Sequence, residues 1–440
     1  MNTTAGVFIR ETIMRVLLVD FNPFMAPATP ISLGYLGAMV KSHGHEARVL
    51  SLGSSTAFSP AAFKSWVREF CPDLVGFGTY QRNIYHIHAL ATMVKQVLPG
   101  ACVVLGGPQV TFMPDESLNV LPSVDFLCRG EGERVILAIA EAIIAGRASS
   151  PVPGTTSRNP AGGYMTGSGV TPAQDLDEYP SPWLEDVLDP AQMDEAIMLT
   201  SRGCPYGCAF CYTPAASGRK IRAHSVERVI EDIAFVARHG TGRLWFADPN
   251  FSFNRRRVEE TLEGIARRGL RVDMWIETRA DMLDRELLDL MRRAGVRMVA
   301  MGLESASENV FPHLNKGLDP DRVRRGIEMA FGAGLDVELF SQFALPHERF
   351  DDAMVTLNFV KKAGVKIRGN SNAQQMQIYF GSEIASDPAR FGVKPLKEWR
   401  EPCLAIGAEF ETEWMTKAEI ERIKAAWKAE SLDGGKRLVS

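Results

Sequence analysis

The sequence predicts an α/β protein in two parts: an N-terminal Rossmann-like parallel sheet domain, then a full or partial (β/α)6 barrel with a short α-helical C-terminal tail. Three observations carry this. Short apolar runs of buried-strand type alternate with helical patterns from residue 14 to about 145. A Pro-, Gly- and Ser-rich stretch breaks the alternation at 150–182. From Ala196 the alternation resumes for six further strand–helix units.

Taken in order, Val16–Val19 is the first strand, and a helix follows over about Ser32–His43 with Leu33, Leu36 and Val40 at helical spacing. Ala47–Leu50, Leu74–Phe77, Cys102–Leu105 and Phe126–Cys128 read as strands, with helices near Ala61–Phe70, Ile87–Leu98 and Glu133–Ile144. Ligands of such sheets bind beyond the carboxyl ends of the strands. In the second part, strands are expected near Ile197–Leu199, Arg243–Ala247, Val272–Ile276, Met298–Met301, Val337–Phe343 and Met376–Tyr379. Helices are expected near Val226–Arg238, Arg256–Arg268, Arg285–Ala294, Arg322–Gly332 and Asp352–Ala363, and a last one over Lys417–Ala429. The expected division is a disordered extension at 1–13, a domain at 14–149, a linker at 150–190, a barrel at 191–382 and a C-terminal extension at 383–440.

Hydrophobic residues make up 45% of the 440-residue chain and charged residues 23%, as in a soluble globular protein. Net charge is −4, from 49 basic and 53 acidic residues, and no basic run implies nucleic acid. No apolar run has the length of a membrane span, and Met1–Arg10 has none of the marks of a signal peptide. Seven cysteines, an odd number, argue against a secreted disulfide framework and for a reducing cytoplasm.

Three of those cysteines sit in one loop: Ser201-Arg-Gly-Cys-Pro-Tyr-Gly-Cys-Ala-Phe-Cys-Tyr212. Thiolates of Cys204, Cys208 and Cys211 would bind three irons of a four-iron cluster and leave the fourth open, whereas an electron-transfer cluster normally uses four. Structural zinc is the competing reading, with His224 as a fourth ligand, but zinc cysteines usually come as Cys-x-x-Cys pairs. The spacing and the flanking Gly203, Pro205 and Gly207 favour iron–sulfur.

The pattern Cys-x-x-x-Cys-x-aromatic-Cys, with Phe210 as the aromatic residue, resembles the signature of radical S-adenosylmethionine (radical SAM) enzymes. Phe246-Ala-Asp-Pro-Asn-Phe251, Trp275-Ile-Glu-Thr-Arg-Ala-Asp281 and Met301-Gly-Leu-Glu-Ser-Ala-Ser307 resemble that family's segments at successive strand ends. The resemblance implies that Asp248 meets the methionine amino group, that Glu277 and Arg279 face the cofactor, and that Glu304 and Ser305 lie near its ribose or carboxylate. Taken singly, Asp248 also reads as a helix cap or turn support, and Glu304 and Arg279 as a structural ion pair. Phe343-Ala-Leu-Pro-His-Glu348 resembles a Gly-x-Pro-Gly-Glu segment in which both glycines are replaced.

The N-terminal part lacks Gly-x-Gly-x-x-Gly after its first strand, which disfavours a nicotinamide cofactor. It resembles the cobalamin-binding domain fused to many radical SAM enzymes, through Pro30-Ile-Ser-Leu-Gly-Tyr-Leu-Gly37, Pro72-Asp-Leu-Val-Gly-Phe-Gly78, Leu105-Gly-Gly-Pro108 and Cys128-Arg-Gly-Glu-Gly-Glu133. The resemblance implies a pocket lined by Thr79, Gly106 and Gly107, with Gly130 and Glu131 nearby. Asp20-Phe-Asn22 stands where an Asp-x-His motif would carry a cobalt-ligating histidine, so no histidine of this motif ligates the metal.

Together these resemblances imply a cobalamin-dependent radical SAM enzyme that uses a [4Fe-4S] cluster, S-adenosylmethionine and cobalamin. A methyltransferase acting on an unactivated carbon or phosphorus of a small molecule, through a 5′-deoxyadenosyl radical and methylcobalamin, is the leading expectation. Aminocarboxypropyl transfer, a radical cyclase or ring rearrangement, and a cobalamin or iron–sulfur sensor are the alternatives. The expected partners are a small-molecule substrate and an external electron donor such as a flavodoxin or ferredoxin. Substrate contacts are expected from strand-end loops and from Tyr379–Glu383 through Trp399 and Cys403.

Overall fold

A computed structural model describes residues 13–22, 29–53, 59–80, 83–367, 373–396 and 410–430. Met25, Trp399, Cys403 and all but the last residue of the N-terminal extension lie outside them. Arg15–Asn22 (β1), Glu46–Gly53 (β2), Leu74–Gly78 (β3), Cys102–Gly106 (β4), Phe126–Cys128 (β5), Thr155–Arg158 (β6) and Tyr164–Thr166 (β7) form one sheet in the order β2-β1-β3-β4-β5-β6-β7. The first five are parallel. In β1, Leu17 and Val19 pack into the core on one face while Val16 and Leu18 pack on the other. Burial on both faces is why this strand reads as an unbroken apolar run.

The stretch whose composition reads as a linker contributes β6 and β7, which extend this sheet antiparallel. Both are short, and Gly162 and Gly163 turn the chain between them. Tyr179 and Trp183, further along the same stretch, are among the largest fully buried side chains. Apolar anchors set among prolines, rather than composition, decide its packing.

The second sheet is built from Ala196–Met198 (β8), Arg243–Phe246 (β11), Asp273–Thr278 (β12), Val296–Glu304 (β13), Asp336–Phe343 (β14) and Ala373–Gln375 (β15). Its order is β15-β14-β13-β12-β11-β8, every pair is parallel, and β8 and β15 are its edges, so the barrel is partial. A two-stranded ribbon, Ser201–Arg202 (β9) with Arg222–Ala223 (β10), brackets the cysteine loop. Met376–Tyr379, read as the sixth strand, instead follows β15 as irregular chain. The outer helices start at capping residues visible in the sequence: Ser225, Asn254, Asp284 and Asp319 each accept a backbone N–H from their helix. Such a cap stabilises a helix by about 1 kcal/mol. No helix among the described residues is long and apolar enough to cross a membrane.

A buried charge network ties the first part to the second. Arg202, on β9, donates to Glu131 at 3.1 Å and to Glu133 at 2.5 Å, and Arg222, on β10, pairs with Glu131 as well. Arg202 also lies between the rings of Tyr35 and Tyr179, 5.4 and 5.3 Å from their centroids. All four charged side chains are at most 10% exposed. Charges withdrawn this far from water hold together only while each keeps its partner. Arg202→Ala leaves Glu133 without its partner and Glu131 with Arg222 alone, so unfolding in urea is expected to show a loss of about 3–5 kcal/mol. A change under 1 kcal/mol would show that the junction does not depend on this network.

Candidate active site

The cysteine loop leaves β9 and returns through β10, and several backbone contacts fix it. Gly203 has φ +95, and a Cβ there would lie 2.4 Å from the Lys220 carbonyl oxygen. Only glycine allows that approach. Cys204 N–H donates to the Gly218 carbonyl at 3.0 Å, and Ala209 N–H to the Leu314 carbonyl at 3.0 Å. The Ala209 carbonyl in turn accepts from Ile384 N–H at 3.1 Å. Asn315 Nδ2 donates to the Gly207 carbonyl at 2.8 Å. Phe210 packs partly buried against the barrel core.

Cys204, Cys208 and Cys211 are free and half-buried. Burial pushes the Cys208 thiol up to about 11, while the nearby Lys316 ammonium opposes the shift. Among the described residues no three His, Cys, Asp or Glu side chains converge closely enough to grip a single ion. His224, the candidate fourth zinc ligand, is spent: its Nε2 meets Tyr35 Oη at 3.1 Å and its Nδ1 meets Asp177 at 2.9 Å. Burial lowers its pKa to about 4, so it is neutral at pH 7. Three thiols spread along one loop fit a multi-iron cluster, one thiolate to each iron, better than one tetrahedral zinc.

Several predicted cofactor contacts have other partners. Asp248 is fully buried. Its carboxylate accepts from Thr200 N–H at 2.6 Å and Oγ1 at 2.5 Å, and from Ser201 N–H at 3.2 Å and Oγ at 2.9 Å. It therefore supports the turn that leads into the cysteine loop. Arg279 binds Asp281 through two 2.9 Å contacts and the Lys316 carbonyl at 2.9 Å, and its guanidinium lies 3.8 Å from the Tyr206 ring centroid. Ser305 is buried, its Oγ 3.3 Å from Thr356 Oγ1.

Glu304 lies near the loop, where its charge and that of Lys316 both act on the Cys208 thiol. Glu304 accepts from Lys316 Nζ at 2.9 Å and from Gln342 Nε2 at 2.8 Å. A Cβ on Gly302 would lie 2.3 Å from Lys316 Nζ, so that glycine lets the pair cross β13. Lys316 falls in Asn315-Lys-Gly317, a stretch that resembles the family's own, whereas Gln342 was not expected, since nothing local in its sequence sets it apart. Glu277 is half-buried and accepts from Trp245 Nε1 at 2.9 Å. Trp245 stacks on Trp275 with ring centroids 4.8 Å apart.

In the N-terminal part, the ends of β3, β4 and β5 carry the other predicted residues. Thr79 is fully buried, its Oγ1 donating to the Gly106 carbonyl at 2.6 Å. Gly107, at φ +102, leaves room for the Thr79 carbonyl, which a Cβ would approach to 2.7 Å. Thr79 and Gly107 thus build the turn at the ends of β3 and β4. Gly130 has open space where a Cβ would stand, and Gly106 would meet only Cys128, at 3.7 Å. Glu131 is consumed by Arg202 and Arg222. The open glycine edges, with no histidine in Asp20-Phe-Asn22, fit a flat macrocycle that takes no ligand from that motif. Tyr80, Pro108 and Gln109 face Tyr212, Tyr379 and Phe380 across a narrow cleft between these strand ends and the cysteine loop.

Comparisons with known proteins agree with this arrangement. The Radical SAM superfamily model matches residues 198–360, and the B12 binding domain model matches residues 22–140. An uncharacterized methyltransferase of Pyrococcus horikoshii is 28% identical over 343 residues, covering 76% of this chain and 74% of its own length. The anaerobic magnesium-protoporphyrin IX monomethyl ester cyclase of Rubrivivax gelatinosus is 29% identical over 342 residues, covering 74% of this chain and 61% of its own length. The fold is similar to that of the methyltransferase TsrM from Kitasatospora setae, solved with cobalamin and a [4Fe-4S] cluster. There the TM-score is 0.74 at 17% identity, over 95% of this chain and 88% of the other.

Two substitutions test how the loop is held. Gly203→Ala is expected to leave a folded protein that takes up less than half the wild-type iron on anaerobic reconstitution, measured as iron per chain. Asp248→Ala leaves four buried donors without their acceptor and is expected to cost about 3 kcal/mol or more in unfolding free energy. Asp248→Asn, which keeps one acceptor oxygen, is expected to fall between it and the wild type.

Proposed function

We propose a methyl transfer, from a premise the two domains supply: this chain belongs to the cobalamin-dependent radical S-adenosylmethionine enzymes. Its cofactors are a [4Fe-4S] cluster, S-adenosylmethionine and cobalamin. Together they supply one-electron cleavage chemistry and a transferable methyl group. The likeness to a methyltransferase over 76% of the chain supports methyl transfer to a small molecule.

One observation carries the reading. The Arg202–Glu131–Arg222–Glu133 network fixes the strand ends of the N-terminal sheet opposite the cysteine loop, so that one substrate can meet both cofactors. Cys204, Cys208 and Cys211 would hold the cluster. Glu277, Glu304 with Lys316, and Gln342 are the polar groups that would orient S-adenosylmethionine beside it. The tyrosines of the cleft would exclude water, which strengthens every polar contact inside. Gln109 is only 4% exposed, and its side-chain amide has no hydrogen-bond partner among the described residues, which makes it the natural handle for a substrate.

The cyclase relative favours a second reading, ring closure without methyl transfer. An experiment that needs no substrate separates the two. Reconstituted protein is given cobalamin, a reductant and S-adenosylmethionine labelled in its methyl group. Label recovered in the bound corrinoid is the expected result, and cysteine-to-alanine substitution at 204, 208 and 211 together is expected to abolish cluster absorbance and formation of 5′-deoxyadenosine. Cleavage of S-adenosylmethionine with no label in the corrinoid would remove methyl transfer and leave ring closure.

A further inference from the structure

The cysteine loop and Glu304 lie where the barrel strands end. The opposite mouth, where the strands begin, carries a cluster of arginines. The helix Arg255–Arg267 ends there, and the chain runs on through Arg268 to Arg271, just before β12. The helix Arg285–Ala294 ends there too, with Arg292 and Arg293 in its last turn, and Arg297 follows at the start of β13. Met274 N–H donates to the Gly295 carbonyl at 2.9 Å, which sets the two turns side by side. Arg292, Arg293 and Arg297, with Asp289, line an open cleft of about 510 Å³.

The charge of this cleft is not balanced from within. Asp289 is paired with Arg285 at 3.3 Å, and Asp273 holds Arg297 Nε at 2.7 Å. Arg267, Arg268, Arg271, Arg292 and Arg293 are exposed and have no carboxylate partner among the described residues. A basic residue in the last turn of a helix is ordinarily accounted for by the helix dipole. Two helix ends supply roughly half a negative charge each, about one in all, against these five cations. The chain as a whole carries −4, so the excess here is local. Arg292 is also seated on the protein: its Nε lies 3.7 Å from where a Cβ of Gly334 would stand.

A guanidinium presents its donors in a planar fork that matches the oxygens of a phosphate. Among the described residues the lining of the cleft is charged throughout, so it offers nothing to a base, an aromatic ring or an acyl chain. We infer that Arg292, Arg293 and Arg297, with Arg271 on the neighbouring turn, form a binding site for a phosphate-rich anion. The phosphate is that of a free oligophosphate or of a lipid headgroup. It is held at the mouth of the barrel opposite the cofactors, and the site does not depend on their identity.

The test is isothermal titration calorimetry of the reconstituted full chain with tripolyphosphate at low salt. Arg292→Gln with Arg293→Gln is expected to weaken binding about tenfold or more, the loss of two charge-assisted contacts. Rising salt should weaken binding to the wild type. Arg256→Gln with Arg324→Gln removes the same charge from exposed arginines that already have carboxylate partners, and should leave the affinity within about twofold. Alanine at Cys204, Cys208 and Cys211 together should leave it unchanged, which separates this site from the cluster and from heat of iron chelation. Sedimentation with vesicles of phosphatidic acid in phosphatidylcholine distinguishes the sources. Co-sedimentation that the Arg292–Arg293 pair of substitutions abolishes assigns the site to a headgroup; tripolyphosphate binding without co-sedimentation assigns it to a free anion. Equal affinity in the wild type and the Arg292–Arg293 variant, an equal loss in the Arg256–Arg324 variant, or no binding of either probe would overturn the site.

Discussion

The structure turns on one electrostatic constraint: two arginines that flank the cysteine loop are neutralised by two glutamates from the other part of the chain. Arg202 stands two residues before Cys204, and Arg222 lies on the strand by which the loop returns. Glu131 comes from the turn after β5 and Glu133 opens the helix that follows it, at the carboxyl edge of the N-terminal sheet. Each half alone would leave charge buried or would have to expose it. Joined, they offset one another, and the two tyrosine rings flanking Arg202 exclude the water that would screen them. The constraint is geometric as well as energetic. A guanidinium presents its donors in a fixed plane, so pairing with both glutamates fixes orientation as well as distance.

The polar residues near the loop then fall into an order. Asp248 holds the strand end from which β9 departs, and Arg279 ties the Asn315–Gly317 turn to Asp281 and to Tyr206. Asn315 in turn holds Gly207, between the first two ligands. A cluster ligand set on a loop needs such a supporting shell, because the loop has no sheet partners of its own. Residues that a family pattern suggests as cofactor contacts thus serve partly to keep three thiols where irons can reach them.

How much of this was legible follows from the range of each interaction. The cysteine spacing, the helix caps and the strands of both sheets are local signals, and they stood in the sequence with boundaries shifted by a few residues. The roles of Asp248 and Glu131 are set by partners 48 and 71 to 91 residues away, and no local pattern reveals them. The strands β6 and β7 were hidden because short edge strands between glycine turns share the composition of a linker. Met376–Tyr379 misled in the opposite direction: an apolar stretch at the barrel edge that forms no strand, although Met376 N–H still reaches the Phe343 carbonyl of β14 at 2.9 Å. The worn segment after β14 is a further case. Ala344 and His347 replace both glycines of the resembling pattern, yet both keep left-handed backbone, at φ 62 and φ 65. The turn has outlasted the residues that make it easy, at a cost of roughly 1–2 kcal/mol for each.

That retained turn shows what the barrel protects. His347 stacks on His313 with ring centroids 3.7 Å apart and on Trp414 at 4.2 Å, and His313 lies in the short helix whose Leu314 carbonyl receives Ala209 of the cysteine loop. Strain stored at the end of β14 is offset by packing that continues into the loop. The C-terminal extension, through Trp414, becomes part of the support for the thiols rather than an appendage. The cysteine loop is therefore held on one side by the charge junction with the N-terminal sheet and on another by this aromatic stack. Its Arg219–Lys220 edge, fastened by backbone and by Arg219 on the Pro205 carbonyl, remains turned to solvent.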